Sequence, residues 1–179
     1  MKKSKKYLCL LLALVMAGSL LLLPAAAANT QSGATRYPTV YVQARSDDPV
    51  VFVHGLMGWG EHDQIYSAVP YWGLSTDLMP YMTGKGYESY AASVGPLSSA
   101  WDRACELYAQ LAGTRTDYGV KHAQDFGHER YGIDYEQPLF DGWGTERAVN
   151  LVGHSFGGAT TRLFLDILAN GRPEEVAAA

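Results

Sequence analysis

The sequence of residues 148–171 is AVNLVGHSFGGATTRLFLDILANG, and it indicates the fold more clearly than any other stretch of the chain. The apolar run before the first glycine predicts a short, fully buried strand. Apolar residues then recur at helical spacing as far as Asn170 and Gly171, a pair that is typical of a helix end. Between strand and helix, Ser155 stands in a Gly-x-Ser-x-Gly turn. The segment predicts a strand, a tight turn and a helix in succession.

The turn predicts an exposed, nucleophilic hydroxyl at Ser155. Glycines two residues before and after the serine leave room for a sharp turn that lifts the hydroxyl clear of the sheet. The five-residue pattern alone also fits a glycine-rich loop with a buried serine. The strand before the turn, the helix after it and the close packing that Gly158 allows favour the nucleophile.

A second apolar strand runs into a glycine-rich loop over residues 49–58, PVVFVHGLMG. A continuous apolar run suits a parallel strand buried on both faces. In acyl transfer, one backbone N–H from such a loop and one from the residue after the nucleophile bind the developing oxyanion. Leu56 and Phe156 occupy those positions. The open alternative is that Gly55 and Gly58 only form a turn.

Helices and strands alternate through the middle of the chain: a helix over 75–83 that contains Pro80, a strand over 87–94, and a helix from the N-cap Ser99 to Gly113. This alternation predicts an α/β fold with a parallel sheet covered on both sides. Residues 113–147 show no clear period. A segment of that length inside one domain is uncommon unless it carries function.

Residues 1–28 have the pattern of a secretory signal peptide, with four lysines, a leucine-rich run and an alanine-rich cleavage site. A membrane anchor is the alternative, but Gly18 and Ser19 interrupt the apolar run. The expected organisation is a signal peptide over 1–28, a polar leader over 29–48 and one domain over 49–179. The expected location is extracellular.

The net charge and the cysteine content of the chain bear on its partners and on how its fold is stabilised. Removing the four lysines of the signal leaves 10 Lys and Arg against 18 Asp and Glu, a net charge of −8. Nucleic acid is therefore not an expected partner. Cys105 is the one cysteine outside the signal, so the fold does not rely on a disulfide, and its helical position predicts a buried thiol.

Several blocks together resemble the secreted lipases of Geobacillus and Staphylococcus. The blocks are PVVFVHGLMGWG (49–60), YWG (71–73), VGPLSSAWDRACELYAQLAG (94–113), DYGVKHAQDFGHERYG (117–132) and the turn around Ser155. The resemblance implies an α/β-hydrolase fold, here ending after the nucleophile helix. It implies a secreted triacylglycerol lipase that acts at a lipid–water interface through an acyl-enzyme on Ser155. No protein partner is evident from the sequence. Leu56 and Phe156 match the oxyanion-hole positions.

The resemblance also implies a metal site. Read alone, Asp102 is an ordinary acidic residue of a helix's first turn, and loop histidines are more often surface residues than ligands. Asp102, His122 and His128 nevertheless match three ligands of the family's structural zinc. The fourth zinc ligand, the catalytic acid and histidine, and the calcium ligands of the full-length proteins match positions beyond Ala179. Calcium is therefore expected only in a longer protein.

Two other readings stay open at this stage. One is a carboxylesterase or acyltransferase on the same fold, which would prefer soluble short-chain esters to emulsions. The other is a non-catalytic, secreted, metal-binding fragment.

Overall fold

The computed structural model describes residues 47–73 and 75–179, so the expected signal peptide and most of the leader lie outside it. The strands and α-helices of the described residues are, in chain order, β1 Val50–Val53, α1 Leu78–Gly84, β2 Ser89–Ala92, α2 Ala100–Ala112, β3 Arg115–Asp117, α3 Val120–Phe126, β4 Tyr131–Asp134, β5 Asn150–Gly153, α4 Phe156–Asn170 and α5 Pro173–Ala178. A 3₁₀ turn spans Gln64–Ser67.

The main sheet is parallel, and β1 lies at its centre. The strand order is β2-β1-β5, and Val51 is paired with Tyr90 on one side and Leu151 on the other. Val51 and Val53 are completely buried and Phe52 nearly so. Burial on both faces explains why β1 reads as an unbroken apolar run. The expected α/β fold with a parallel sheet is confirmed.

Helices cover both faces of this sheet. On one face, Val53 belongs to an apolar core that includes Leu107 of α2 and Phe164 of α4. On the other face, Phe52 packs in a second core with Met79 of α1. Successive residues of a strand point to opposite faces, so β1 contributes to both cores.

The start of α2 is held by a capping box. The Asp102 N–H donates to Ser99 Oγ at 3.1 Å, and the Ser99 N–H donates to the Asp102 carboxylate at 3.3 Å. The helix ends where Gly113 takes a left-handed conformation with φ 63°. Both predicted boundaries are confirmed, and they place Asp102 and Arg103 in the helix's first turn.

The helix expected over 75–83 begins later, at Leu78, where Asp77 accepts a hydrogen bond from the Met79 N–H. Pro80 is its third residue. The first N–H groups of a helix have no intrahelical acceptor, so a proline is tolerated there without a lost bond.

Residues 113–147 contain more regular structure than their sequence indicates. β3 and β4 form a two-stranded antiparallel sheet, and α3 lies between them in the chain. Each of these elements has seven residues or fewer. A periodic pattern needs a longer window to be recognised, so elements as short as these are not predictable from the sequence.

The strand before Ser155 is less buried than its apolar sequence predicts. In the described part of the chain, β5 pairs with β1 alone, and Val152 is 40% exposed. The expectation of a fully buried strand is therefore wrong for this structure. Across residues 47–73 and 75–179, no helix is both long enough and apolar enough to cross a bilayer.

Candidate active site and metal site

Ser155 occupies a strained turn between β5 and α4. Its φ of 54° and ψ of −120° lie in a region that non-glycine residues rarely adopt. The flanking glycines are required by close contacts. A Cβ on Gly157 would come within 2.1 Å of the Val53 carbonyl oxygen, and one on Gly153 within 2.6 Å of the Gly157 backbone. The exposed Ser155 side chain is thus presented at the carboxyl end of the sheet.

The loop after β1 lies directly beside this turn. A Cβ on Gly55 would stand 3.0 Å from the Ser155 Cβ, so Leu56, the next residue, begins the loop next to the serine. Met57 has a φ of 58°, and its N–H donates to the Pro96 carbonyl at 2.8 Å. Phe156 opens α4, and the first N–H groups of a helix have no intrahelical acceptor. The two residues predicted to supply the oxyanion hole therefore lie next to Ser155, Phe156 in the chain and Leu56 at the start of the adjacent loop.

The His54 side chain holds the loop after β1 through two hydrogen bonds. Its ring is completely buried, and Nε2 accepts a hydrogen bond from the Val94 N–H at 3.3 Å. Nδ1 must then carry the proton, and it donates to the Gly55 carbonyl at 2.8 Å. Burial lowers the pKa of His54, so the neutral tautomer that makes both bonds is also the favoured one.

Tyr71 joins the loop to the serine turn, and no sequence motif predicts this role. Its hydroxyl accepts the Gly55 N–H at 3.2 Å and lies 2.7 Å from His154 Nδ1. With one lone pair used by Gly55, the hydroxyl proton is free to donate to that nitrogen. Its signal in the sequence is the Tyr-Trp-Gly block at residues 71–73, one of the blocks that resemble the lipase family.

The three predicted metal ligands converge. Nε2 of His122 lies 3.0 Å from an Asp102 carboxylate oxygen, and Nε2 of His128 lies 3.7 Å from the same oxygen. One ligand atom from each residue falls within 4.8 Å of the others. His128 Nδ1 donates to the Glu129 carbonyl at 2.8 Å, which leaves Nε2 as the lone-pair nitrogen.

This donor set is compatible with a metal ion. Two imidazoles and a carboxylate offer the nitrogen and oxygen ligands that zinc accepts in four-coordinate sites. The His122 ring is also held between two aromatic rings. Its centroid lies 5.0 Å from that of Trp101, on which it stacks, and 4.6 Å from that of Phe126. The site joins the first turn of α2 to the β3–α3–β4 segment.

Comparison with known proteins gives a consistent result. A family model described as "Lipase-like, C-terminal domain" matches residues 46–179. A lipase of Staphylococcus epidermidis and lipase 1 of Staphylococcus aureus strain N315 are each 40% identical over 135 residues. These matches cover 75% of this chain and 20% of each relative, so the chain spans about a fifth of their length.

Two solved structures are similar in fold as well as sequence. EstA from Clostridium botulinum superposes with a TM-score of 0.69 at 41% identity, covering 77% of this chain and 32% of that one. Staphylococcus hyicus lipase superposes with a TM-score of 0.63 at 36% identity, covering 78% and 38%. The chain belongs to the lipase-like C-terminal domain family.

Proposed function

We propose that this chain belongs to a secreted triacylglycerol lipase with the α/β-hydrolase fold, which cleaves carboxylic esters through a serine acyl-enzyme. The observation that carries the proposal is the strained backbone of Ser155, exposed between β5 and α4 and faced by the loop after β1. A protein maintains such strain where the geometry serves a purpose, and a nucleophilic serine at a strand-to-helix turn is one.

In the proposed reaction, Ser155 Oγ attacks the ester carbonyl while a histidine base takes its proton. The backbone N–H groups of Leu56 and Phe156 stabilise the oxyanion. An acidic residue holds the histidine's tautomer, the alcohol leaves with the proton, and water then releases the fatty acid. In this fold the acid and the histidine follow the serine in the chain.

Exposed apolar side chains close to Ser155 favour a water-insoluble substrate. Leu56 is 56% exposed and Met57 70% exposed, both in the loop that faces Ser155. Leu97 is 74% exposed and follows Pro96, whose carbonyl accepts the Met57 N–H. Exposed large side chains grouped beside a nucleophile favour contact with acyl chains or a lipid surface.

For the metal site we propose a structural zinc held by Asp102, His122 and His128. When bound, zinc would act as a cross-link between the start of α2 and the 113–135 segment. Asp102 is fixed for this role by the capping box with Ser99. His122 is fixed by its stacking on Trp101, and the remaining coordination position would be filled by a further ligand.

Covalent labelling tests the catalytic assignment. A fluorophosphonate probe is expected to label Ser155 in a form of this protein that carries an acid and a histidine after the serine. Ser155→Ala should abolish the labelling and lower hydrolysis by about a thousandfold or more. Ser67→Ala, in the exposed 3₁₀ turn, is the matched control and should behave as wild type. Labelling that persists in Ser155→Ala would show that another residue is the nucleophile.

Substrate form separates a lipase from an esterase of the same fold. A lipase is expected to turn over emulsified long-chain triacylglycerol faster than a dissolved short-chain ester. The reverse order would favour a carboxylesterase, and product esters formed with an added alcohol would favour an acyltransferase.

A further inference from the structure

Arg103 is a completely buried arginine that neither the sequence motifs nor the proposed reaction assign to a role. It follows Asp102 in the first turn of α2, so its backbone position is set by the same capping box. Burying a cation is costly unless its donors are satisfied. The contacts of its guanidinium therefore indicate what its burial accomplishes.

The guanidinium donates to three different segments. Nη2 bonds to the His54 carbonyl in the loop after β1 at 2.5 Å. Nη1 bonds to the Gly95 carbonyl after β2 at 2.7 Å, and Nε bonds to Thr160 Oγ1 on α4 at 2.9 Å. One side chain thus joins the segments that follow all three strands of the main sheet.

Both predicted oxyanion donors stand next to these contacts. His54 comes two residues before Leu56, so the first bond holds the base of the loop that carries the Leu56 N–H. On the other side, the guanidinium lies over the Phe156 ring at 5.2 Å. Thr160 Oγ1 in turn donates to the Phe156 carbonyl at 3.2 Å. Arg103 is therefore connected to both walls of the site.

The planar fork of arginine suits this arrangement better than any other side chain. Its N–H groups point in fixed directions, so three acceptors on separate segments define one relative placement of those segments. The three acceptors carry no formal charge, so the hydrogen bonds themselves do not neutralise the cation. The Glu106 carboxylate, which accepts the Gly95 N–H at 2.5 Å, offsets part of its field, and the rest acts in a dry region close to where the oxyanion would form.

We propose that Arg103 is a positioning residue for ester hydrolysis, which sets the spacing of the Leu56 and Phe156 backbone N–H groups and places a buried positive charge behind them. The inference rests on the function proposed above. It predicts that Arg103 acts through the oxyanion hole, and that its loss affects the transition state more than substrate binding.

The first test uses amide hydrogen exchange on the chain to measure how firmly Arg103 holds the two segments that carry these N–H groups. Arg103→Met is compared with Gln110→Met, which also replaces a buried polar side chain of α2 but bonds to Ser93 backbone atoms instead. Exchange at Gly55 and Gly157 should rise at least about tenfold in Arg103→Met and stay unchanged in Gln110→Met. Equal exchange in the two variants would overturn the proposal.

The second test uses kinetics of the full-length gene product. Arg103→Lys keeps the charge without the fork, and it also serves where Arg103→Met fails to fold. Loss of one oxyanion contact typically lowers kcat about 100-fold, so kcat should fall about that far in Arg103→Met and less in Arg103→Lys. KM for a soluble ester should change less than about threefold.

An alkylboronic acid, which forms a tetrahedral adduct with serine, should bind Arg103→Met more weakly by the factor lost in kcat. An increase in KM with kcat unchanged in Arg103→Met would contradict the role. So would an equal fall of kcat in Gln110→Met. If Ser155→Ala retains full activity, the proposed function fails separately, and the exchange comparison still decides whether Arg103 holds the two segments.

Discussion

At the scale of single residues, the candidate site depends on side chains that connect segments far apart in the chain. Tyr71 is the clearest example, because its half-buried side chain places one hydroxyl in contact with both the Gly55 N–H and His154 Nδ1. The loop after β1 and the turn at Ser155 are otherwise separate pieces of backbone. A hydroxyl that bridges them restrains the wall of the site without touching the reacting atoms.

Tyr71→Phe is expected to lower the free energy of unfolding by about 1–3 kcal/mol, because the Gly55 N–H loses its acceptor in a partly buried position. Urea unfolding followed by tryptophan fluorescence measures the change. Tyr81→Phe is the matched control, since Tyr81 is 55% exposed on α1 and should change stability by less than about 0.5 kcal/mol. Equal effects of the two substitutions would show that the Tyr71 hydroxyl is not a bridge.

At the scale of elements, the metal residues have to join α2 to the β3–α3–β4 segment. Asp102 comes from a well-capped helix, whereas the two histidines come from α3 and the loop after it. Glu175 supports the segment from another side, because its carboxylate accepts the backbone N–H groups of Lys121 and His122 at 2.8 and 2.7 Å. Small elements of this kind bury little apolar surface, so a metal cross-link would contribute much of their stability.

We expect one zinc ion per chain in the purified full-length protein. His122→Ala and His128→Ala should remove it and lower the thermal unfolding midpoint, by about 2–4 °C for each kcal/mol lost, more than they lower turnover. Elemental analysis and calorimetry provide the measurements. His62→Ala, an exposed histidine outside the cluster, should leave zinc content unchanged. A metal-free wild-type protein would contradict the assignment.

The edge of the main sheet carries an ion pair with a defined pH dependence. Arg147 Nη2 lies 2.5 Å from the Glu88 carboxylate, just before β2, and Tyr90 Oη donates to the same carboxylate at 2.7 Å. The hydrogen bond from Arg147 lowers the pKa of Glu88 below its usual value. Since the folded-state pKa lies below that of the unfolded chain, this stabilisation is present above the unfolded value and is lost as pH falls through the folded one.

Glu88→Gln should therefore reduce the fall in stability between about pH 5 and pH 3, relative to wild type. Both side chains are about a third exposed, so the contribution should stay below about 1 kcal/mol. Urea unfolding at several pH values measures it. Glu136→Gln, in an exposed position, serves as the control. If the free energy of unfolding falls with decreasing pH equally in Glu88→Gln and in wild type, the Glu88–Arg147 pair does not contribute to that fall.

At the scale of the whole molecule, the proposed reaction needs an acidic residue and a histidine that follow Ser155 in the chain. Residues 156–179 contain one aspartate, Asp166, and no histidine. Asp166 lies on the far part of α4, where it accepts hydrogen bonds from Asn170 and from Arg172 just beyond the helix, and the bond from Arg172 lowers its pKa. Neither of the two histidines nearest Ser155 in the structure is a suitable base, because His54 is buried in the loop and His154 is bonded to Tyr71.

Residues 29–179 expressed alone are therefore expected not to hydrolyse a chromogenic ester at an enzymatic rate. A serine without a general base is a weak nucleophile at neutral pH. The assay compares this segment, at equal concentration, with a longer form that supplies an acid and a histidine after Ser155. Serine-dependent turnover of similar size in the short segment would mean that a base among these residues has been overlooked.

The amino-acid sequence by itself determined the features that depend on a few neighbouring residues. The glycines around Ser155, the capping box of Ser99 and Asp102, and the end of α2 at Gly113 follow from backbone sterics and local hydrogen bonding. The apolar run of β1 predicted burial on both faces, because a strand that is covered on both sides has no face for polar side chains. The metal residues came from a family resemblance, and their convergence in space agrees with it.

The tertiary structure alone decided the features that join distant parts of the chain. Arg103 bonds to residues 49 positions before it and 57 positions after it, and a charged residue on a helix reads locally as a solvent-facing one. The same holds for Tyr71, whose bond to His154 spans 83 residues. These partners are selected by packing across the sheet rather than by local periodicity, so only the folded chain brings them together.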